Sequence, residues 1–152
     1  MRLNGGGNSP QGTEFIKQLA QISKVNRKGA LFVAISEKTF SSAVINAMDF
    51  RLNTAALLMG SPAGGRPNHY GEVRGLEMPN VGLSVYHSTQ YFKYIDEDLP
   101  AVMPDLFVEN TFKQFNAGID PIYEYVRDYE GRIKVSDQLS LPSANSRSAK
   151  LM

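Results

Sequence analysis

The chain has 152 residues, 42% hydrophobic and 20% charged, with a net charge of +1; this suits one globular domain with a real core and gives no electrostatic reason to bind nucleic acid or an anionic membrane. It has no cysteine and only two histidines, His69 and His87, so disulfides, cysteine nucleophiles and Cys-ligated zinc are excluded, and neither a metal site nor a cofactor is expected. No apolar run approaches the roughly 20 residues that span a bilayer, and the N-terminus lacks the basic and then apolar pattern of a signal peptide.

In chain order, Met1 to Asn4 reads as a very short first strand and runs into three glycines, Gly5 to Gly7, which are costly to order. Ser9 as N-cap with Pro10 in the first helical position predicts a helix, with Phe15, Ile16, Leu19, Ala20 and Ile22 at helical spacing. After a basic turn, ALFVAIS (Ala30 to Ser36) is a continuous apolar run, as in a strand buried on both faces. A second helix is expected from about Ser41 to Leu52, with Phe40, Val44, Ala47 and Met48 on its apolar face. Ala55 to Gly60 is another apolar strand, and Ser61 to Asn68 a turn-rich loop. EVRGLEM (Glu72 to Met78) and VGLSVYHS (Val81 to Ser88) flank Pro79-Asn80 and predict a hairpin, with a short strand to follow near Tyr91 to Tyr94. Asp96 to Asp105 reads as a proline-containing loop. Asp120-Pro121 starts a helix with Ile122, Tyr123, Tyr125 and Val126 on its apolar side. Residues 131–152 are polar and small, the composition of a loose tail. The sum is an α/β domain with parallel strands and an antiparallel appendage.

Several segments together carry a resemblance to a known family. MRLNGGGNS resembles the strand end of the S41 serine peptidases, the C-terminal processing and tricorn-like proteases. KTFSSAVINAM (Lys38 to Met48) looks like their nucleophile segment, and ALLMGSPAGGRPNHYGE (Ala56 to Glu72) like the strand and glycine loop that follow. GLSVYHSTQYFKY and PDLFVENTFKQFNAGIDPIYEYV resemble later parts of the same domain, so the likeness runs from about Arg2 to Val126. It implies a ClpP/crotonase-like fold of stacked βαβ units. Here that fold would be incomplete at its N-terminus, with residues 1–130 a partial catalytic domain. It also implies a peptide or protein substrate, no cofactor, and an extracytoplasmic setting.

The resemblance assigns roles to single residues. Gly5 and Gly6 would offer backbone N–H groups to an oxyanion, where a plain strand-to-helix turn is the other use of such glycines. Ser41 would be the nucleophile, with the Ser42 N–H as a further oxyanion donor, although Val44 stands where the family often has an acid. The ordinary alternative is that Thr39, Ser41 or Ser42 merely caps the helix. The family's lysine base is missing, since Gly65-Arg66-Pro67 occupies its place and arginine does not deprotonate in proteins. His69 is a base candidate by residue type, or else an uninvolved loop histidine. Arg66 is a candidate for holding a peptide carboxylate or bracing Glu72, or else a plain surface arginine.

Two functions follow. One is a peptidase acting through an acyl-enzyme on Ser41, with little activity expected of this chain alone for want of a base. The other is a peptide-binding module that has lost that base. An acyl-CoA enzyme of the crotonase kind would share the oxyanion logic but not the pairing of Ser41 with the glycine loop. The short first strand is expected to leave an open sheet edge that favours self-association or pairing with an upstream part of a parent protein.

Overall fold

The computed structural model describes residues 1–2 and 5–129; the expected tail over residues 131–152 lies outside them. Helix α1 (Ser9–Ala20) is capped by Asn8 rather than Ser9, and the Asn8 side chain accepts a hydrogen bond from the Gln11 N–H at 3.1 Å. Ser9 is instead the first helical residue, its hydroxyl committed to Ser42. Ile16 is buried, while Phe15 and Ile22 are exposed.

Strand β1 (Phe32–Ile35) has Val33, Ala34 and Ile35 all buried, as expected of a strand covered on both faces. Helix α2 (Ser42–Asn53) packs on α1 and buries Val44, Ala47, Met48 and Phe50. Phe40 does not join that face: it precedes the helix and is exposed. Strand β2 (Leu57–Gly60) runs parallel to β1, in register from Phe32 opposite Leu57 to Ile35 opposite Gly60. The N-terminus lies along the other edge of β1. The Met1 ammonium donates to the Phe32 carbonyl at 2.8 Å, the Ala34 N–H donates to the Met1 carbonyl at 2.7 Å, and Arg2 bridges Ala34 in parallel.

The hairpin is longer than its sequence pattern. Strands β3 (His69–Met78) and β4 (Leu83–Phe92) pair antiparallel from His69 opposite Phe92 to Met78 opposite Leu83, so Tyr91 belongs to β4 rather than to a separate strand. Both faces of its outer part are exposed, which removes the alternation of burial that marks strand ends in a sequence. Strand β5 (Leu106–Phe107) then completes a parallel sheet of order β1-β2-β5. The short helix α3 (Phe112–Asn116) has a capping box between Thr111 and Gln114. Helix α4 (Pro121–Arg127) starts as expected, with the Asp120 carboxylate accepting from the Ile122 and Tyr123 N–H groups, both at 3.1 Å. Arg2 pairs with that carboxylate and holds its pKa below the usual range. Tyr123, expected on the apolar side, is exposed, and no residue of α4 is fully buried. The architecture is therefore α/β with a three-stranded parallel sheet and an antiparallel hairpin. Among the described residues no helix is long and apolar enough to cross a membrane.

The core runs from Ile16 through Val33, Ile35, Met48, Phe50 and Leu58 to Val102. One carboxylate sits at its border. Asp49 is buried and accepts from the Thr13 hydroxyl at 2.6 Å, which joins α1 to α2. Burial pushes its pKa up, against the opposing pull of the Thr13 hydrogen bond and the Lys17 charge. Burial, and then the nearby Asp49 charge, push the Tyr94 hydroxyl up to about 12. A carboxyl whose folded-state pKa is raised contributes stability that is full below the unfolded value and lost as pH rises through the folded value. Asp49→Asn keeps an acceptor for Thr13 and removes the charge. Its melting temperature relative to the unsubstituted protein should therefore rise as pH goes from about 3 to about 7. Calorimetry across that range checks this; a constant difference would show that the charge carries no burial penalty.

Candidate active site

Helix α2 begins at a residue with an uncommon backbone. Ser41, at the N-cap, has φ 55° and ψ −128°, and its side chain makes no capping hydrogen bond. Positive φ is rare for a residue with a Cβ and costs on the order of 1–3 kcal/mol. The ordinary use of such a serine, capping the helix, is thus not the use made of Ser41. Its side chain is exposed, and among the described residues its hydroxyl has no hydrogen-bond partner.

Ser42 does the anchoring. It is buried, and its hydroxyl donates to the Gly7 carbonyl at 2.8 Å. That uses its one proton, so the 2.8 Å contact with Ser9 has the Ser9 hydroxyl donating. The relay ties the glycine run and the start of α1 to the start of α2. It also lays Gly6 against Ser41: a Cβ added at Gly6 would stand 3.3 Å from both Cβ and Oγ of Ser41. An added Cβ at Gly5 would meet nothing within 4 Å. Of the two glycines expected to serve an oxyanion, Gly6 is the one whose Cβ direction runs onto the Ser41 side chain. Ser42 opens α2, so its N–H has no intrahelical acceptor, and the helix dipole adds positive potential there.

The loop after β2 passes close over this helix start. A Cβ on Gly64 would lie 2.2 Å from the Glu37 carbonyl oxygen, and one on Gly65 2.9 Å from a Val44 methyl, so only glycines allow this approach. The loop ends at Asn68, which is buried and bonded in four directions. Its Nδ2 donates to the Ile95 and Glu97 carbonyls at 2.8 and 3.1 Å, and its Oδ1 accepts from the Tyr94 and Ile95 N–H groups at 2.9 and 3.2 Å.

His69 follows at once. Its Nδ1 is 3.0 Å from the Arg66 carbonyl, and its ring stacks on Phe92 with centroids 5.5 Å apart. A carbonyl can only accept, so Nδ1 is the donor in this contact, and in the neutral imidazole the lone pair lies on Nε2. His87 sits out on β4 opposite Arg74, away from this loop. Arg66 pairs with both oxygens of Asp98, at 3.2 and 3.1 Å, and does not brace Glu72.

A cavity of ≈ 590 Å³ collects these parts. Gly7, Ser41, Ser42, Gly64, Arg66 and His69 all line it, together with Phe40, Phe92 and residues 70–73 of β3. Three of the four residues expected at a nucleophile, base or oxyanion donor beyond Gly6 therefore share one space: Ser41, Ser42 and His69. Glu72 lines it too. The resemblance gave it no role, and its signal is conformational rather than compositional.

No family model matches the chain, and no curated protein matches it. Solved structures do. A Parabacteroides merdae protein assigned as a peptidase superposes with a TM-score of 0.63 at 20% identity, over 84% of this chain and 49% of that one. A Bacteroides fragilis protein assigned to the S41 proteases superposes with a TM-score of 0.55 at 12% identity, over 84% of this chain and 41% of that one. The chain thus spans less than half the length of either structure. The resemblance to S41 peptidases drawn from the sequence holds at the level of the fold.

The strained serine and the anchoring serine should respond oppositely to substitution. Ser41→Gly relieves the positive φ and should raise unfolding stability by about 1 kcal/mol. Ser42→Ala leaves the Gly7 carbonyl and the Ser9 hydroxyl without their partner and should lower stability by about 1–2 kcal/mol. Urea titrations measure both; a destabilised Ser41→Gly would mean that the backbone at Ser41 is not strained.

Proposed function

We propose that this chain carries the nucleophile side of a serine peptidase site of the S41 type, on a ClpP/crotonase-like fold. The observation that carries the reading is Ser41 itself: a strained, exposed, non-capping serine at a helix N-terminus with Gly6 against it. Backbone strain concentrates at functional residues, and a hydroxyl raised on a sharp turn at a helix start is the geometry of an acyl-transfer nucleophile.

In this mechanism the Ser41 Oγ attacks the peptide carbonyl carbon while a base takes its proton. The N–H groups of Ser42 and Gly6 are the donors assigned to the oxygen that becomes negative, supported by the α2 dipole. Collapse of the tetrahedral intermediate expels the amine, which receives that proton, and leaves an acyl-enzyme on Ser41. Water then attacks the ester, with proton transfer to and from the same base, and frees the acid. Arg66 cannot be that base. His69, whose Nδ1 is engaged by the Arg66 carbonyl and which lines the same cavity, is the candidate within this chain.

One observation favours the second reading, a peptide-binding module without catalysis. Ser41 Oγ and His69 make no hydrogen bond in the structure, and the His69 ring is held by the Arg66 carbonyl and Phe92. The fluorophosphonate reaction separates the two. The chain alone should label slowly at Ser41, and added imidazole, acting as a diffusible base, should speed labelling at least about tenfold. Ser41→Ala should abolish it. Fast labelling without imidazole that falls in His69→Ala would identify His69 as a working base. No labelling at Ser41 with or without imidazole would overturn the peptidase reading in favour of the binding module.

A further inference from the structure

Glu72 lies within β3 with φ 52°, a conformation that glycine adopts readily and other residues rarely. The ladder is interrupted there. Gly71 pairs with Gln90 and Val73 with Ser88, but Glu72 and Thr89 do not pair; the Thr89 hydroxyl instead donates to the Glu72 carbonyl at 2.7 Å. A regular strand sends successive side chains to opposite faces. With that alternation broken at Glu72, Tyr70, Gly71, Glu72 and Val73 line the cavity of Ser41 in unbroken succession.

The charges around this cavity do not balance. Arg66 is neutralised by Asp98. Among the described residues no side chain pairs with the Glu72 carboxylate. Lys17 and Glu14 share the adjoining groove with Glu72 and carry opposite charges, so the net charge of that groove is that of Glu72. The uncompensated charge beside Ser41 is therefore negative, and the Phe92 ring lines the same cavity.

We propose that Glu72 is a specificity-determining residue, which makes the cavity prefer peptides with a lysine or arginine next to the position that Ser41 faces. The cationic head meets the Glu72 carboxylate, and the aliphatic stem lies against the Phe92 ring. This rests on the peptidase reading for the path of the peptide past Ser41, and adds the chemical class of substrate to it.

The test uses the Ser41→Ala chain, so the reactivity of the serine does not enter. Fluorescein-labelled hexapeptides of alanine with lysine, of alanine with serine, and of alanine with glutamate are titrated by fluorescence anisotropy. The lysine peptide should bind about fivefold tighter than the neutral one, the gain of a partly exposed ion pair, and the glutamate peptide weakest. Glu72→Gln, which suits the same backbone no worse, should level the three, and Glu72→Lys should reverse their order. The preference should shrink in about 0.5 M salt. Equal binding of the three peptides, a preference that survives Glu72→Gln, or no binding of any would overturn the proposal. The first two outcomes leave the fluorophosphonate result at Ser41 standing, and a failed labelling at Ser41 leaves a Glu72-dependent preference standing.

Discussion

The carboxamide of Asn68 uses all of its hydrogen-bonding capacity: two donated bonds to the carbonyls of Ile95 and Glu97, and two accepted from the N–H groups of Tyr94 and Ile95. No other side chain fits that place. Aspartate would turn a carboxylate toward two carbonyl oxygens, and glutamine is one methylene longer in a buried site. The four bonds join the segment that enters β3 to the segment that leaves β4, and so fix where the hairpin starts. His69, the next residue, inherits its position from that closure, and so does the stretch from Tyr70 to Val73. The outer wall of the cavity is therefore set by one buried side chain that takes no part in chemistry.

The inner wall depends on a different economy. The start of α2 is held from below by the core, through Val44, Ala47 and Met48, and from the side by the relay from Ser9 through Ser42 to Gly7. Those contacts over-determine the turn, which is what allows Ser41 to persist at positive φ. Division of labour between adjacent serines explains why both are present. One is buried, bonded and inert, and the other is exposed and unbonded, so the chain does not ask one hydroxyl to hold the structure and to react.

What could be read from the sequence follows burial. ALFVAIS and AALLMG announce strands because both faces are covered, and Asp120-Pro121 announces a helix because cap and φ restriction coincide. The cap of α1 was misplaced by one residue because Asn8 and Ser9 are both good caps, and the partner that claims Ser9 lies 33 residues away. Arg66 likewise finds Asp98 across 32 residues. Strand β5 and helix α3, at two and five residues, are too short for periodicity, although Thr111 and Gln114 at capping-box spacing were a usable signal for α3. At the site, the serine pair and glycine loop were legible through their pattern. The positive φ of Ser41 and Glu72 was not, because nothing in a serine or glutamate codon-neighbourhood distinguishes a residue forced into that region by its surroundings.

The exposed outer hairpin has an evolutionary consequence. Beyond the cavity its strands bury nothing against the core, so no packing constraint sets their length. Each residue added to both strands moves the tip by about 3.4 Å, and a single added pair also swaps the faces of every pair beyond it. Two pairs together, a step of about 7 Å, restore the original facing. Insertions and deletions in this arm can therefore accumulate in even steps while Asn68, the sheet and the serine turn stay as they are. The height of the rampart beside Ser41 is in this way a dimension that can drift independently of the chemistry it borders.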